Sequence, residues 1–134
     1  MNIASFADLL SASRAQPVPQ SLLMVFVDVE LPPDSTPDQR ERFARGEGGA
    51  LTPRMCVDRS PSDIDSWEAL VRDADAQSDQ WRMVMVAALA GQPGRPPANE
   101  QIDRALNQMV MSIHQGQIQA FVPFDRQGQV VHFG

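Results

Sequence analysis

Apolar residues recur every three to four positions in four segments of the chain, and each segment follows a residue that suits a helix start. Pro37 and Pro61 are predicted to occupy the first helical position, where a backbone N–H would have no partner within the helix and its absence costs nothing. Gln39 has the spacing of a capping box, and Gly116 is a typical stop for the last helix. The four helices are predicted to begin at Ser5, Thr36, Ser60 and Asn99.

Apolar runs between these helices have the length and pattern of β-strands. Residues 21–30 are apolar on both faces and then alternate, and residues 81–90 are almost continuously apolar, as in a strand covered on both sides. Residues 51–58 form a weaker run, because Pro53 favours the edge of a sheet. The chain closes on two short apolar runs around a polar turn, which predicts a β-hairpin over residues 120–134.

The predicted element order is therefore α-β-α-β-α-β-α-β-β. Alternating strands and helices favour parallel or mixed strand pairing with helices packed on the sheet. We predict a single α/β domain over residues 1–134. It is built on a mixed sheet of about five strands, with the C-terminal β-hairpin as an antiparallel edge. An α+β arrangement of the same elements is the alternative.

All 11 basic residues are arginine, and the chain has no lysine and no tyrosine, which removes several kinds of chemistry. A Schiff-base lysine, a phosphate-loop lysine and a tyrosine general acid are all excluded. The formal net charge is −6, whereas binding to a phosphate backbone needs a positive surplus, so nucleic acid is not an expected partner. The single cysteine, Cys56, excludes an internal disulfide and a cysteine-only zinc site.

The sequence also predicts a location. Its first ten residues lack a basic segment and carry Asp8 within the apolar stretch, unlike a secretory signal. The longest apolar run, residues 83–90, is far shorter than the ~20 residues of a membrane-spanning helix. We therefore expect a small soluble protein of the cytoplasm, with its thiol reduced and no membrane partner.

Three carboxylates near predicted strand ends are candidate metal ligands. Asp28 and Glu30 close the first strand, and Asp58 closes the second. If these strands run parallel, their C-terminal ends share one edge of the sheet, where open α/β sheets bind ligands. Oxygen ligands grouped there suit Mg²⁺. The alternative is that the strands simply become polar where they leave the core, and no cofactor is predicted.

The loop between the third strand and the last helix is a candidate ligand-binding site for an anion. Gly94 gives backbone freedom, Arg95 offers a guanidinium fork, and Asn99 opens a helix whose N-terminus attracts anions. The loop matches neither the dinucleotide-binding nor the phosphate-loop pattern, and its three prolines remove backbone donors. A plain connector is the competing interpretation.

Cys56 could act as a nucleophile only beside a base, and the chain has two histidines, His114 and His132. No motif joins the three residues. We therefore predict that Cys56 is an inert, apolar strand residue and that the chain has no catalytic residue.

The terminal hairpin is a candidate interaction edge because it concentrates apolar side chains. Such residues are costly to expose, so they are predicted to pack on the core or on a partner. An edge hairpin also offers backbone groups for strand-to-strand association with a second copy or another protein. A structural lid on the fold is the competing interpretation. The residues predicted for this edge are Phe121, Phe124, Val131 and Phe133.

Several stretches together resemble a known family. The opening FADLL, the segment ELPPDSTPDQRERFARGEGGALTPRMCVD, the strand VAALAG and the ending AFVPFDRQGQVVHFG are similar to a family of small proteobacterial proteins. Its members often carry the automatic label "ribonucleotide reductase subunit alpha". The resemblance covers nearly the whole chain, but its motifs imply no mechanism and no functional residue. The label describes chemistry that needs a radical-bearing cysteine and a separate redox-active pair, which Cys56 alone cannot provide.

These observations favour a binding or protein-interaction domain without catalytic activity. One alternative is a small ligand- or metal-binding enzyme that uses the acidic strand ends and the 91–99 loop. The other alternative is an accessory subunit of a larger complex.

Overall fold

The computed structural model describes residues 3–132, which form four α-helices and four β-strands. In chain order these are α1 (Phe6–Arg14), β1 (Gln20–Glu30), α2 (Pro37–Ala44), β2 (Ala50–Arg59), α3 (Trp67–Gln77), β3 (Met83–Ala90), α4 (Asn99–His114) and β4 (Val122–Phe124). They make an α+β protein, which is the alternative to the α/β class that the sequence pattern favoured. No helix within residues 3–132 combines the length and the apolar character needed to cross a membrane.

Three of the four helix starts agree with the sequence. The Ser5 hydroxyl accepts from the Asp8 N–H at 3.4 Å, and the Thr36 hydroxyl accepts from the Gln39 N–H at 3.2 Å. Both capping boxes are complete, because the side chains of Asp8 and Gln39 accept in return from the cap residues. The last helix begins at Asn99, as predicted.

The predicted helix start at Ser60 is wrong. Pro61–Asp63 forms only a 3₁₀ turn, and Ile64 then adopts an extended conformation that ends it. The Ser60 hydroxyl lies 3.0 Å from that of Ser62 and makes no cap bond. Ser66 is the cap instead, since its hydroxyl accepts a backbone N–H of the first turn of α3 at 3.0 Å. A proline at the first position suits both kinds of turn, so the pattern did not separate them.

All neighbouring strands pair antiparallel, in the order β2-β1-β3-β4, so the predicted mixed sheet is wrong. The reason lies in α2, which buries none of its residues. It cannot cover a sheet face as a crossover helix does, and the chain turns back at the edge of the sheet instead. β2 and β3 do run parallel to each other across α3, but β1 lies between them.

β1 is the centre of the core, because helices cover both of its faces. One apolar layer packs α1 and α3 on the sheet and includes Phe6, Leu22, Met24, Phe26 and Phe124. The second layer packs α4 on the opposite face and includes Leu23, Val25, Val27, Met109 and Ile113. Burial of both faces explains why residues 22–27 are apolar at every position.

The C-terminal hairpin is shorter than predicted. The returning chain makes one bridge to β4, between Phe124 and Val130, so the expected fifth strand is not formed within residues 3–132. The chain bonds to the segment before α1 instead. The Val130 N–H donates to the Ala4 carbonyl at 3.0 Å, and the Phe6 N–H donates to the Gly128 carbonyl at 2.8 Å. The backbone groups of residues 128–131 therefore bond partly to β4 and partly to the residues at the start of α1, so they do not pair with β4 as a fifth strand would.

Candidate functional site

The three predicted metal ligands do not meet. Because β1 and β2 are antiparallel, Asp58 lies opposite Leu23, whereas Asp28 lies opposite Thr52, nearer the other end of the ladder. In the part of the chain that the structure describes, no three His, Cys, Asp or Glu side chains are grouped to hold a metal ion. The expected grouping of Asp28, Glu30 and Asp58 depended on parallel strands and is wrong for that reason.

Arginines pair with the acidic end of β1 instead. Glu30 accepts a hydrogen bond from Arg54, whose Nη2 also lies 3.8 Å from Asp28 Oδ2. Arg82 approaches the other Asp28 oxygen, with its Nε 3.4 Å from Oδ1. These carboxylates therefore belong to a network of opposite charges at the end of the strand.

Gly94 and Arg95 lie in a tight turn. Gln92 and Arg95 exchange both backbone hydrogen bonds at 2.8 Å, and Gly94 is the left-handed residue of the turn, with φ 70°. Asn99 begins α4, but the backbone N–H just before it already donates to the Gln101 side chain at 3.1 Å. An anion site at Gly94, Arg95 and Asn99 stays a prediction, since these contacts describe a turn that leads into a helix.

Cys56 lies on β2, as predicted, but its side chain is exposed and not buried. Neighbouring residues still shield the thiol in part, and this desolvation raises the pKa of Cys56 above its ordinary value. His114 and His132 line a cavity to which Cys56 does not contribute. The three residues therefore do not form a nucleophile with its base.

We expect slow labelling of Cys56 at neutral pH. The raised pKa leaves less thiolate than an unshielded cysteine has, and the thiolate is the form that attacks. The measurement is reaction with 5,5′-dithiobis(2-nitrobenzoate) at about pH 7 and about pH 8.5, with the urea-unfolded chain as control. At the lower pH the labelling rate of the native protein should lie below that of the unfolded control. Between the two pH values the native rate should increase by a larger factor than the control rate. A native rate above the control would reveal an activated thiol and contradict this prediction.

The predicted interaction edge is only partly accessible. Phe124 is fully buried among aromatic residues of α1 and α3, so its assignment to an accessible edge is wrong. Phe121 and Val131 are half-buried, and the Val131 N–H donates to the Pro123 carbonyl on the outer side of β4 at 2.9 Å. Phe133 lies outside the described residues. Association through Phe121 and Val131 stays a prediction.

The turn of the hairpin closes the core beside α3, and Arg126 fixes it there. Its guanidinium binds both oxygens of Asp75 at 2.9 and 2.8 Å and donates to the Trp81 carbonyl at 3.0 Å. It also lies 4.0 Å from the centre of the Trp81 ring.

The backbone of the turn packs on a second indole. The Arg126 carbonyl accepts from the Trp67 indole N–H at 2.8 Å. Gly128, with φ 79°, lies against the same indole, where a Cβ would approach to 3.1 Å. These contacts are those of a structural lid.

A cavity of about 850 Å³ lies beside the C-terminal end of β1. The loop between α2 and β2, the start of β3, the last turn of α4 and the C-terminal segment meet there. Its walls are mostly apolar and include Val29, Phe43, Leu51, Met83, Ile113 and Ile118. This volume and this character are typical of small-molecule sites.

In the part of the chain that the structure describes, four ionisable side chains line the cavity: Glu47, Arg82, His114 and His132. His114 is the last residue of α4, and His132 belongs to the C-terminal segment, so both histidines of the chain reach one site. Glu47 is also near Arg45, with its Oε2 3.9 Å from Nη2. The cavity therefore combines apolar walls with an Arg–His–His set of nitrogen groups at its rim.

Sequence reasoning missed this site. It considered His114 and His132 only as bases for Cys56 and did not place them together. Their meeting depends on the direction of α4 over the sheet and on the path of the chain after β4, which no local pattern reports. One signal was present: Arg82 interrupts the apolar run at 81–90, at the point where the strand meets the cavity.

The fold and the cavity define an α+β protein with an open, mostly apolar cavity at one end of an antiparallel sheet. No protein-family model, curated protein or solved structure matches the chain. The family resemblance seen in the sequence stays a prediction.

Proposed function

We propose that this chain is a binding protein that holds a small, largely apolar molecule in the cavity beside the end of β1. The observation that carries the proposal is an open cavity of about 850 Å³ whose walls are mostly apolar and carry a few ionisable groups. Ligand sites in proteins commonly have volumes of about 300–1,000 Å³ and the same combination of apolar walls and a few orienting polar groups.

One wall of the cavity comes from the rigid part of the fold. Leu51 on β2 and Met83 on β3 both pack against the buried layer beneath α4. Ile113 belongs to the same layer and is only 2 % exposed. Side chains held by core packing present a surface formed in advance, so a ligand does not have to order it on binding.

The opposite wall comes from the segment between β1 and β2. Phe43 at the end of α2 is half-buried, although α2 has no fully buried residue. The backbone of Gly46, Gly48 and Gly49 continues this wall. An element with so little buried surface opens at low cost in free energy. We therefore propose that this side of the cavity moves to admit the ligand.

We propose binding without covalent chemistry. The lining residues among the described part of the chain include no serine, threonine, cysteine or lysine, and the carboxylate of Glu47 and the imidazoles of His114 and His132 are the nucleophilic groups among them. We also propose a cytoplasmic location, where a lone surface thiol such as Cys56 stays reduced.

Replacing Ala50 by tryptophan should block the cavity. Ala50 lines it from the first position of β2 and is exposed, so an indole there occupies the site without entering the core. The dissociation constant of the neutral fluorescent probe N-phenyl-1-naphthylamine should rise about tenfold, equivalent to ~1.4 kcal/mol of lost apolar contact. A fluorescence titration measures this constant.

Ala90→Trp is the matched control. Ala90 is also exposed and, like Ala50, is a terminal residue of a strand, but it does not line the cavity. This variant should bind the probe as the unchanged protein does. Equal affinity in the two tryptophan variants, or no binding of the probe to the unchanged protein, would refute the proposed function.

A further inference from the structure

We infer that the ligand is an apolar monocarboxylate and that Arg82 binds its carboxylate. The inference rests on the proposed function and goes beyond it by naming the chemical class of the ligand. The apolar walls hold the body of such a molecule, and the nitrogen groups at the rim hold its charged end.

The cavity carries less negative charge than the protein as a whole. Among residues 3–132, Arg82, His114 and His132 line it together with one carboxylate, that of Glu47, in a chain whose net charge is −6. Arg45 offsets part of the charge of Glu47, since its Nη2 lies 3.9 Å from Oε2. A negatively charged group is therefore attracted to this site more than to the acidic remainder of the surface.

Arg82 is held on one side and open on the other. Its backbone N–H donates to the Val27 carbonyl at 2.8 Å, and its Nε lies 3.4 Å from Asp28 Oδ1. Its guanidinium also lies 5.9 Å from the centre of the Phe43 ring. These contacts use the Nε edge and one face, while the side chain stays 60 % exposed. The two Nη groups thus form a fork of the kind that binds a carboxylate through two parallel hydrogen bonds.

The surroundings favour a single negative charge on the ligand. Asp28 already balances part of the charge of Arg82, and Glu47 repels a second anionic group. The apolar walls favour methylene groups or rings over a sugar. A fatty acid or an aromatic acid fits both conditions, whereas a nucleotide fits neither.

A matched pair of probes measures the contribution of the charge. 8-Anilinonaphthalene-1-sulfonate has the ring system of N-phenyl-1-naphthylamine plus one sulfonate. Arg82→Gln should raise the dissociation constant of the sulfonate probe about tenfold and that of the neutral probe less than about twofold. Arg95→Gln removes an exposed arginine that does not line the cavity and should change neither constant.

A second measurement tests the carboxylate itself and needs no variant. Decanoate and decan-1-ol share one chain length and differ in charge, and each is titrated against protein loaded with the neutral probe. Decanoate should displace the probe at about one-tenth of the concentration that decan-1-ol needs. A purely apolar cavity would prefer the alcohol, because the carboxylate loses more hydration.

The outcomes separate the inference from the proposed function. Equal weakening of both probes by Arg82→Gln, or better displacement by decan-1-ol, overturns the monocarboxylate class and leaves the cavity as a binding site. Failure of the neutral probe to bind, or binding of that probe that Ala50→Trp does not weaken, overturns the proposed function.

Discussion

Phe124→Ala should lower the free energy of unfolding by about 3–5 kcal/mol, the largest loss that we expect from one substitution in this protein. Phe124 is 0 % exposed. Its ring packs edge-on against Phe6, with centroids 5.5 Å apart, and lies 6.4 Å from Trp67. In the sheet it is paired with Val84. Four elements meet at this ring, so the space left by alanine cannot close by a local shift.

Urea unfolding followed by circular dichroism and tryptophan fluorescence measures this loss. Phe121→Ala is the matched control, because Phe121 lies just before β4 and is only half-buried. Phe121→Ala should lower the free energy of unfolding by about 1–2 kcal/mol, in proportion to the smaller apolar area removed. A loss at Phe124 no greater than that at Phe121 would show that Phe124 is not a core residue. It would then return Phe124 to the interaction edge that the sequence predicted.

Arg126→Gln should lower the free energy of unfolding by about 2–3 kcal/mol. Glutamine removes the charge that pairs with Asp75 and the flat cation that lies over the Trp81 ring. The two charged side chains are 35 % and 32 % exposed, so water weakens their attraction relative to a fully buried pair. The hydrogen bond to the Trp81 carbonyl adds to the loss. Trp81 is itself 2 % exposed, and the effect therefore reaches the core.

A double-mutant cycle with Asp75→Asn separates the ion pair from the other contacts of Arg126. Arg45→Gln is the surface comparison. Arg45 pairs with Glu41 at 3.1 Å, with side chains 55 % and 69 % exposed, and its replacement should cost at most about 0.5 kcal/mol. Equal losses for Arg126→Gln and Arg45→Gln would contradict the role of the hairpin turn as a lid on the core.

Helix starts were predictable where the cap lies within one turn of chain. The capping boxes at Ser5 and Thr36 involve residues three positions apart, so the sequence contains all the partners. The same reasoning failed at Ser60, because the deciding contacts are distant. Ile64 is 3 % exposed in the core, and its carbonyl accepts from the Arg14 guanidinium at 2.7 Å. Those contacts extend the chain where a helix would have continued.

The predicted strand pairing was the main error, and the predicted metal site was wrong as a consequence, because it assumed parallel strands. Alternating elements predicted parallel neighbours, but a crossover needs a helix that can cover a face of the sheet. α2 has one large apolar residue, Phe43, and buries nothing fully. That weakness was visible in the sequence and could have warned against a parallel pair. Once β1 and β2 run antiparallel, Asp58 is separated from Asp28 by the length of the ladder between them.

By itself the sequence determined which side-chain chemistries are absent, where most helices and strands lie, and that the first part of β1 is apolar on both faces. These properties depend on residues that are close together along the chain. Only the tertiary structure decided the order of the sheet, the burial of Phe124 and the meeting of Arg82, His114 and His132 at one cavity. These depend on contacts between segments far apart in the chain. A local pattern reports which face of an element is apolar, but it does not report which other element covers that face.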